Sequence, residues 1–295
     1  MKYRKTLGEK IFDIANIILL TALLLVTLYP CYYVVIASVS DPTLIYESNA
    51  LLLYPKNFAA YSYGEVFANQ NIWIGYRNTI FYVLAGTIVS VSLTISSAYA
   101  LSRPRFPGKN LIMLLIMFTM YFSGGLIPTY MVVRNLKILD TPLAMIIPNA
   151  INVFNLIVTL NYFKGIPVSL EEAAKIDGAG EFRVFYQIFI PLAKPIIAVI
   201  SLYYSVAIWN DFFSSMIYIR SRDLYSLQLI LREILLQGDS TSVAASGAVS
   251  NADAAAYAAN IKYATIVVST VPILCVYPFI QKYFVKGVMV GAVKG

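Results

Sequence analysis

EEAAKIDGAGEFRVFYQIFIP, residues 171–191, is a polar stretch of sequence that lies between two long apolar runs. Ser169 and Glu172 match a capping box, so a short helix is predicted to begin there. That helix is predicted to end at Gly178, because glycine readily takes the left-handed conformation that follows a helix. A second helix is predicted to run to Pro191. We therefore expect a helix-turn-helix that meets a soluble partner at the membrane surface.

The rest of the chain has the composition of a membrane protein. Of the 295 residues, 59% are hydrophobic and only 13% are charged, and the mean hydropathy is +0.71. These values lie outside the range of ordinary soluble domains. We predict an all-α polytopic membrane protein in which residues 1–295 form a single transmembrane domain with six transmembrane helices. Each predicted span is long enough to cross about 30 Å of hydrocarbon, and the six spans are placed at about 12–37, 76–101, 110–133, 143–163, 195–219 and 262–284.

The distribution of basic residues predicts the orientation of these spans. An even number of spans puts both termini on the same side as the 102–109 loop and the 164–194 loop. These segments carry 14 of the 22 basic residues, while the three opposite segments carry eight. Because positive charge accumulates on the inside, both termini and the 164–194 loop are predicted to be cytoplasmic. The net charge of +7 therefore needs no nucleic-acid partner.

Several kinds of chemistry are missing from the sequence. Cys31 and Cys275 lie inside predicted spans without paired spacing, so we expect buried free thiols. The chain has no histidine, and no segment matches the glycine-rich loop that cradles nucleotide phosphates. We see no catalytic constellation. The prediction is a non-catalytic subunit with no metal site and no cofactor of its own.

The 171–191 stretch resembles a known loop. Glu172-Ala173-Ala174, Asp177-Gly178-Ala179, Ile188 and Pro191 are similar in type and spacing to the EAA loop of bacterial ABC importer permeases. In that family the loop couples the permease to an ATP-hydrolysing subunit. The resemblance implies this role for eight residues: Glu171, Glu172, Ala173, Ala174, Asp177, Gly178, Phe182 and Phe185. Two alternatives stay open, namely that Glu172 only caps its own helix and that Phe182, Phe185 and Phe189 only pack under the membrane helices.

The resemblance extends from about residue 60 to the end, and it points to the carbohydrate branch of these permeases. Its motifs are Gly124-Gly125-Leu126-Ile127-Pro128-Thr129-Tyr130, Trp209-Asn210-Asp211-Phe212 and the cytoplasmic tail 285–295. The resemblance implies a bacterial cell (inner) membrane protein that helps to carry an oligosaccharide. It also implies a second permease, an extracellular sugar-binding lipoprotein or periplasmic protein, and two ATPase subunits that hold ATP and Mg.

Polar side chains inside the predicted spans mark a possible path, because burying them is costly without partners or water. Asn149, Asn152, Asn155 and Thr159 are spaced to share one face of the fourth span. Trp209, Asn210 and Asp211 lie together in the fifth. Amide and carboxylate groups beside aromatic rings can hydrogen-bond and stack a sugar. The alternative is that the asparagines and Asp211 only join helices or satisfy broken backbone.

Two further features bear on function. Between spans five and six, Leu227 to Leu236 is predicted to be a short helix. For residues 237–260 the resemblance implies a segment that contacts the binding protein, and the alternative is a flexible linker. Two other classes of function also stay open: an ion-coupled secondary transporter with Asp211 as its ion or proton site, and a structural scaffold without a pathway. The EAA loop argues strongly against the first of these.

Overall fold

The computed structural model describes residues 6–46, 51–103, 106–237 and 256–275. Within these ranges all regular elements are helical, apart from one isolated β-bridge between Ser40 and Phe58. The predicted all-α class is confirmed. The helices are α1 (Leu7–Ser38), α2 (Pro42–Tyr46), α3 (Tyr61–Ala68), α4 (Gln70–Ser102), α5 (Lys109–Tyr121), α6 (Leu126–Asn135), α7 (Pro142–Ile146), α8 (Val153–Lys164), α9 (Val168–Ile176), α10 (Glu181–Val184), a π-helical turn (Phe185–Phe189), α11 (Ile190–Leu192), α12 (Lys194–Trp209), α13 (Phe213–Tyr218), a 3₁₀ turn (Arg222–Leu224), α14 (Leu227–Gln237) and α15 (Ala256–Cys275).

Three of these helices, α1, α4 and α15, are each long and apolar enough to cross a membrane. Three more pairs pass the same test together but are bent at a short break. The bends are 119° between α5 and α6, 66° between α8 and α9, and 77° between Glu181–Leu192 and α12. If each bent pair is one span, the described part of the chain has six. The predicted boundaries of the six spans stay predictions, and 276–284 of the last one lies outside the described residues.

The fourth predicted span is interrupted. Helix α7 ends at Ile146 and α8 begins only at Val153, so the expectation of one continuous helix over 143–163 is wrong. Pro148 lies in the gap, and proline has no backbone N–H and clashes with the preceding helical turn. Asn152 then starts α8, since its side-chain oxygen accepts the backbone N–H of Asn155 at 3.1 Å.

The third and fifth predicted spans are broken in the same way, each by residues that favour a break. Between α5 and α6 the chain turns at Gly125, whose φ of +86° strongly favours glycine. Between α12 and α13 the Asp211 carboxylate accepts the backbone N–H of Ser214 at 2.9 Å. This bond satisfies a donor that the start of α13 would otherwise leave unpaired.

Of the described residues, 70–103, 106–232 and 271–275 form one compact unit. Its core is built where α4, α8 and α12 pack together, with the second half of the 164–194 loop against their ends. The buried apolar side chains of this cluster are Ile95, Ala98, Leu101, Leu156, Leu160, Phe163, Val184, Phe189, Ala193, Ile196, Val199, Ile200 and Tyr204.

The start of α4 in this unit holds the chain that leads into α14. The Asn78 amide donates to the carbonyls of Asp223 and Tyr225 at 2.7 and 3.0 Å. The Thr79 hydroxyl accepts the backbone N–H of Leu227 at 2.8 Å. Helix α14 itself confirms the predicted short helix at this place, and most of the 237–260 segment after it lies outside the described residues.

The described residues 6–46, 51–69, 233–237 and 256–270 form a second compact unit. Here the Asn260 amide donates to the carbonyls of Ala37 and Ser40 at 2.7 and 3.1 Å, and the Ser62 hydroxyl donates to its oxygen. One buried side chain therefore ties α15 to the end of α1 and to α3. Most of the apolar length of α1 remains exposed.

The prediction of buried cysteines is wrong. Cys31 and Cys275 are both free thiols, and both are exposed on the chain. Cys31 lies in α1, an apolar helix most of whose side chains are left uncovered by the described residues. In a membrane, lipid or another subunit can cover such side chains, so an apolar position in a span does not imply burial inside its own chain.

A glycine on α4 allows the close approach of α14, which gives a first test of the fold. A Cβ at Gly75 would lie 2.9 Å from the Leu227 Cα and 2.8 Å from the Ile230 Cδ1, whereas one at Gly64 in α3 would meet nothing within 4 Å. We expect Gly75→Ala to destabilise the detergent-purified protein by about 1–3 kcal/mol through overpacking. Gly64→Ala, the same change in open space, should be neutral or slightly stabilising. Thermal unfolding measures both, and equal midpoints would contradict the close packing.

Candidate functional site: the 164–194 loop and a membrane cavity

The first helix of the 164–194 loop begins earlier than predicted. Helix α9 starts at Val168, with Pro167 as its N-cap, and no side chain caps it. The predicted capping box of Ser169 and Glu172 is therefore wrong, because Ser169 is already inside the helix. Pro167 explains the difference: its φ of −58° is fixed by the ring and lets the chain enter the helix directly.

The turn at Gly178 is confirmed. Gly178 has a φ of +81°, and its N–H donates to the Lys175 carbonyl at 3.1 Å. The next N–H, from Ala179, donates to the Ala174 carbonyl at 2.9 Å. This pair of bonds is the Schellman motif, in which a glycine ends a helix and reverses the chain.

The phenylalanines of the second helix do not share one environment. Phe189 is buried, and its ring lies 5.0 Å from that of Tyr99 on α4. Phe185 is partly buried, with its ring 4.8 Å from the same tyrosine. Phe182 is 82% exposed. The packing alternative thus describes Phe185 and Phe189, and only Phe182 points out from the protein.

The exposed surface of the loop is a mixture of apolar and small or acidic residues. Ile176 is 86% exposed, and Val168, Leu170 and Tyr186 are also exposed. Among the residues assigned to coupling, Glu172, Ala173, Asp177 and Gly178 are exposed and Ala174 is half-buried. Glu172 forms no ion pair with any described residue. This surface offers both apolar area and a carboxylate to another molecule.

Glu171 has the opposite environment from its neighbour Glu172. It is 7% exposed, and one carboxylate oxygen pairs with the Arg103 guanidinium just beyond α4. The other oxygen accepts from the Lys175 ammonium at 2.7 Å. Both oxygens are thus paired inside the chain, which offsets the cost of burying the charge.

Lys175 extends this arrangement to the second helix of the loop. Its ammonium also lies 2.7 Å from a carboxylate oxygen of Glu181, whose other oxygen accepts the Tyr99 hydroxyl at 3.2 Å. The hydrogen bonds to Glu171 and Glu181 raise the pKa of Lys175, and the bond from Lys175 lowers the pKa of Glu181. Both groups are therefore charged at neutral pH.

A cavity of about 510 Å³ opens between α8, α12 and the breaks that adjoin them. Four of the predicted path residues, Asn149, Asn152, Asn155 and Asp211, line it. The first two lie on the irregular backbone before α8, so they reach the cavity without sharing a helical face. Irregular backbone is tolerated at membrane depth where it borders a cavity. The irregular segment around Pro148 borders this cavity through Asn149 and Asn152.

The other three predicted path residues do not line the cavity. Thr159 is fully buried and donates to the Asn155 carbonyl at 2.7 Å. Trp209 is buried beside Tyr76, with ring centres 6.3 Å apart. The Asn210 amide donates to the Val206 carbonyl at 2.8 Å. The Asn210 bond matches the alternative in which an asparagine satisfies a backbone group.

The sequence interpretation missed the aromatic part of the cavity. Phe154 and Tyr203 line it with their rings 6.4 Å apart, and Tyr204 lies beside them. A signal was present: Tyr204, Ala207 and Asp211 follow one another at helical spacing on the same side. Met145, Ile151 and Ile208 complete the lining. In the described residues, no group of three or more acidic or cysteine side chains is placed to hold a metal ion.

Three comparisons place the chain among known proteins. Protein LplC of Bacillus subtilis (strain 168) is 40% identical over 290 residues, covering 98% of this chain and 97% of that protein. The polygalacturonan/rhamnogalacturonan transport system permease protein YtcP of the same organism is 38% identical over 292 residues, covering 97% and 99%. A chain from the crystal structure of a bacterial ABC transporter involved in the import of the acidic polysaccharide alginate matches with a TM-score of 0.86 and 33% identity, covering 96% of this chain and all of that one.

The family model agrees with these relatives. It matches residues 72–290 and describes a binding-protein-dependent transport system inner membrane component. The match includes the 164–194 loop, the interrupted helices and the cavity. Since it covers well over half of the sequence, the chain belongs to the family of binding-protein-dependent transport system inner membrane components.

Proposed function

We propose that this chain is a permease subunit of an ATP-binding-cassette importer and that it forms, with a second permease, the membrane path for an oligosaccharide. The relatives support the substrate class, because YtcP is named for polygalacturonan and rhamnogalacturonan transport and the matched crystal structure concerns alginate import. All three are carbohydrates. The cavity supports it as well, since its amides and aromatic rings suit the hydroxyl groups and apolar faces of sugars.

The observation that carries the proposal is the exposed surface of the 164–194 loop. Ile176 and Phe182, both more than four-fifths exposed, lie on either side of the Gly178 turn. Together with the exposed Val168, Leu170 and Tyr186, they give this polar turn an apolar surface of the kind that marks a protein–protein contact. In our proposal that protein is an ATPase subunit, and the Glu172 carboxylate faces a basic group on it.

The proposed mechanism is alternating access. Closure of two partner ATPases, which bind ATP and Mg, displaces the loop and switches the helices between inward-facing and outward-facing arrangements. This chain contributes no catalytic residue and binds no nucleotide itself. A sugar-binding lipoprotein or periplasmic protein delivers the substrate from outside. The 237–260 segment and the 285–295 tail are proposed to contact these partners, and both lie largely or wholly outside the described residues.

The ion-coupled alternative is disfavoured. It would use Asp211 as an ion or proton site, but the chain belongs to a family of binding-protein-dependent systems. One oxygen of that carboxylate is also engaged by the Ser214 backbone N–H. The scaffold alternative does not account for the cavity, which is lined by four of the predicted path residues.

A test of the proposed orientation uses thiols introduced on opposite sides. In a Cys31→Ala/Cys275→Ala background, Ser169→Cys in α9 and Arg222→Cys before α14 both place a thiol at an exposed position. With the loop in the cytoplasm, a membrane-impermeant reagent should label the Arg222 position in intact cells and the Ser169 position only after the cells are opened. Labelling of the Ser169 position from outside would reverse the orientation and remove the ATPase from reach of the loop.

A second test concerns the turn. Gly178→Ser forces a side chain onto a φ of +81°, at a cost of roughly 1–2 kcal/mol. Gly180→Ser makes the same chemical change two residues away at a φ of −74°, which any residue adopts. We expect only Gly178→Ser to lower the amount of ATPase that co-purifies and the ATP-dependent uptake of a labelled oligosaccharide. Equal behaviour of the two variants at equal expression would mean that the shape of the turn does not matter for coupling.

A third test concerns the cavity. Asn155→Leu keeps the side-chain volume but removes an amide from the cavity wall, while Asn161→Leu makes the same change at an exposed position on α8. Loss of one hydrogen bond to the sugar is worth up to about a tenfold decrease in uptake. We expect that decrease for Asn155→Leu alone, with ATPase assembly retained in both. Normal uptake by Asn155→Leu would place the sugar path elsewhere.

A further inference from the structure

Glu171 is the one charged side chain that is buried among the described residues. Its charge is compensated within the chain by Arg103 and Lys175. A buried carboxylate that loses such a partner is strongly destabilised, because the remaining charge is left without solvation. Glu171 is therefore committed to an internal contact, although it is next to the exposed Glu172.

Arg103 is held in a fixed position. Its guanidinium carbon lies 4.9 Å from the centre of the Tyr99 ring and 4.3 Å from that of Phe189. Its Nε and Nη2 donate to the Ser102 hydroxyl at 3.0 and 2.8 Å. Stacking against two rings and a directed ion pair make use of the planar guanidinium, which a lysine ammonium does not provide.

These contacts attach both helices of the 164–194 loop to one end of α4. The first helix is attached by Glu171, which pairs with Arg103. The second is attached by Phe189, which packs on Arg103 and Tyr99, and by Glu181, which accepts the Tyr99 hydroxyl. A displacement of the loop therefore cannot occur without moving the end of α4 or breaking this set of contacts.

The same helix reaches the cavity. Thr94 lies eight residues before Ser102, or about 12 Å along α4. Its hydroxyl is 2.7 Å from the Tyr204 hydroxyl on α12, and the Tyr204 hydroxyl accepts the backbone N–H of Asn152 at 3.0 Å. Both Tyr204 and Asn152 line the cavity. A continuous set of packed and hydrogen-bonded groups thus runs from the loop to the cavity wall.

We propose that the Arg103–Glu171 ion pair is the joint through which displacement of the 164–194 loop by its partners moves α4 and the wall of the cavity. Arg103 and Glu171 are positioning residues in this proposal, and Glu172 is the carboxylate left for the partner. The inference depends on the proposed function, since it specifies how this chain transmits the movement that the ATPases produce.

The test reads the cavity directly and needs no identified sugar. In the Cys31→Ala/Cys275→Ala background, Ala207→Cys places a thiol at an exposed position in the cavity wall. The complex that co-purifies with the chain is reconstituted in vesicles, and the rate of maleimide labelling is measured with and without ATP plus vanadate. ATP hydrolysis before trapping is measured in the same vesicles, and the labelling change is expressed per unit of that activity.

We expect ATP plus vanadate to change the labelling rate in the otherwise unsubstituted chain. Arg103→Met and Glu171→Gln should each reduce this normalised change about tenfold, as expected when one partner of a largely buried pair is removed. The double variant should be no worse than either single variant, because both act through one contact. Arg103→Lys should retain part of the change, because it keeps the charge and loses the stacking.

Arg183→Met is the matched control, because it removes an exposed arginine from the same loop and should leave the change intact. A normal change in Glu171→Gln and Arg103→Met would overturn the inference while leaving the proposed function standing. So would a double variant whose effect is the product of the two single effects. If the unsubstituted chain shows no ATP-dependent change at all, the proposed function fails and the inference fails with it.

Discussion

The structure of this chain depends on one constraint: a backbone N–H or C=O that enters hydrocarbon must be hydrogen-bonded within the protein. Helices meet this constraint along their length, so the described residues are almost entirely helical. Where a helix stops inside a predicted span, a particular residue satisfies or removes a polar group. Pro148 has no N–H to satisfy, Asn152 caps α8, and Asp211 accepts the N–H of Ser214. Both of these breaks adjoin the cavity, so Asn152 and Asp211, which allow the helices to stop, also supply polar atoms to it.

Helix α4 connects the parts of the larger unit. It packs in the core with α8 and α12, its start holds the chain that enters α14, and its end holds the 164–194 loop. A helix is stiff along its axis because every turn is hydrogen-bonded to the next. The cavity wall is bonded to this helix at Thr94, through the Tyr204 hydroxyl. The arrangement favours movement of α4 as a body over independent movement of the loop, which is the property that a coupling element requires.

Much of this fold and part of the site are predictable from the sequence, and the limits have physical causes. The polar loop, its Gly178 turn and the all-α class follow from local patterns, because composition and glycine chemistry act over a few residues. Pro148 is also a local signal for a helix break. Hydrophobicity alone does not predict this break, because a broken span is as apolar as a continuous one. The partner of Glu171 could not be predicted from local sequence, because Arg103 lies 68 residues away. The exposure of Cys31 could not be predicted either, since it depends on which other parts of the chain pack against α1.

The contrast between Glu171 and Glu172 shows why residue type alone does not assign a role. Successive residues of a helix differ by about 100° in direction, so neighbouring side chains on α9 point to different sides. One direction leads to Arg103 and the aromatic rings under the loop, and the other leads away from the protein. Two adjacent carboxylates of equal chemistry therefore serve opposite purposes: burial fixes the first in place, and exposure leaves the second available. In the proposed function the loop holds both its own chain and a partner, and two successive positions of one helix provide a carboxylate for each contact.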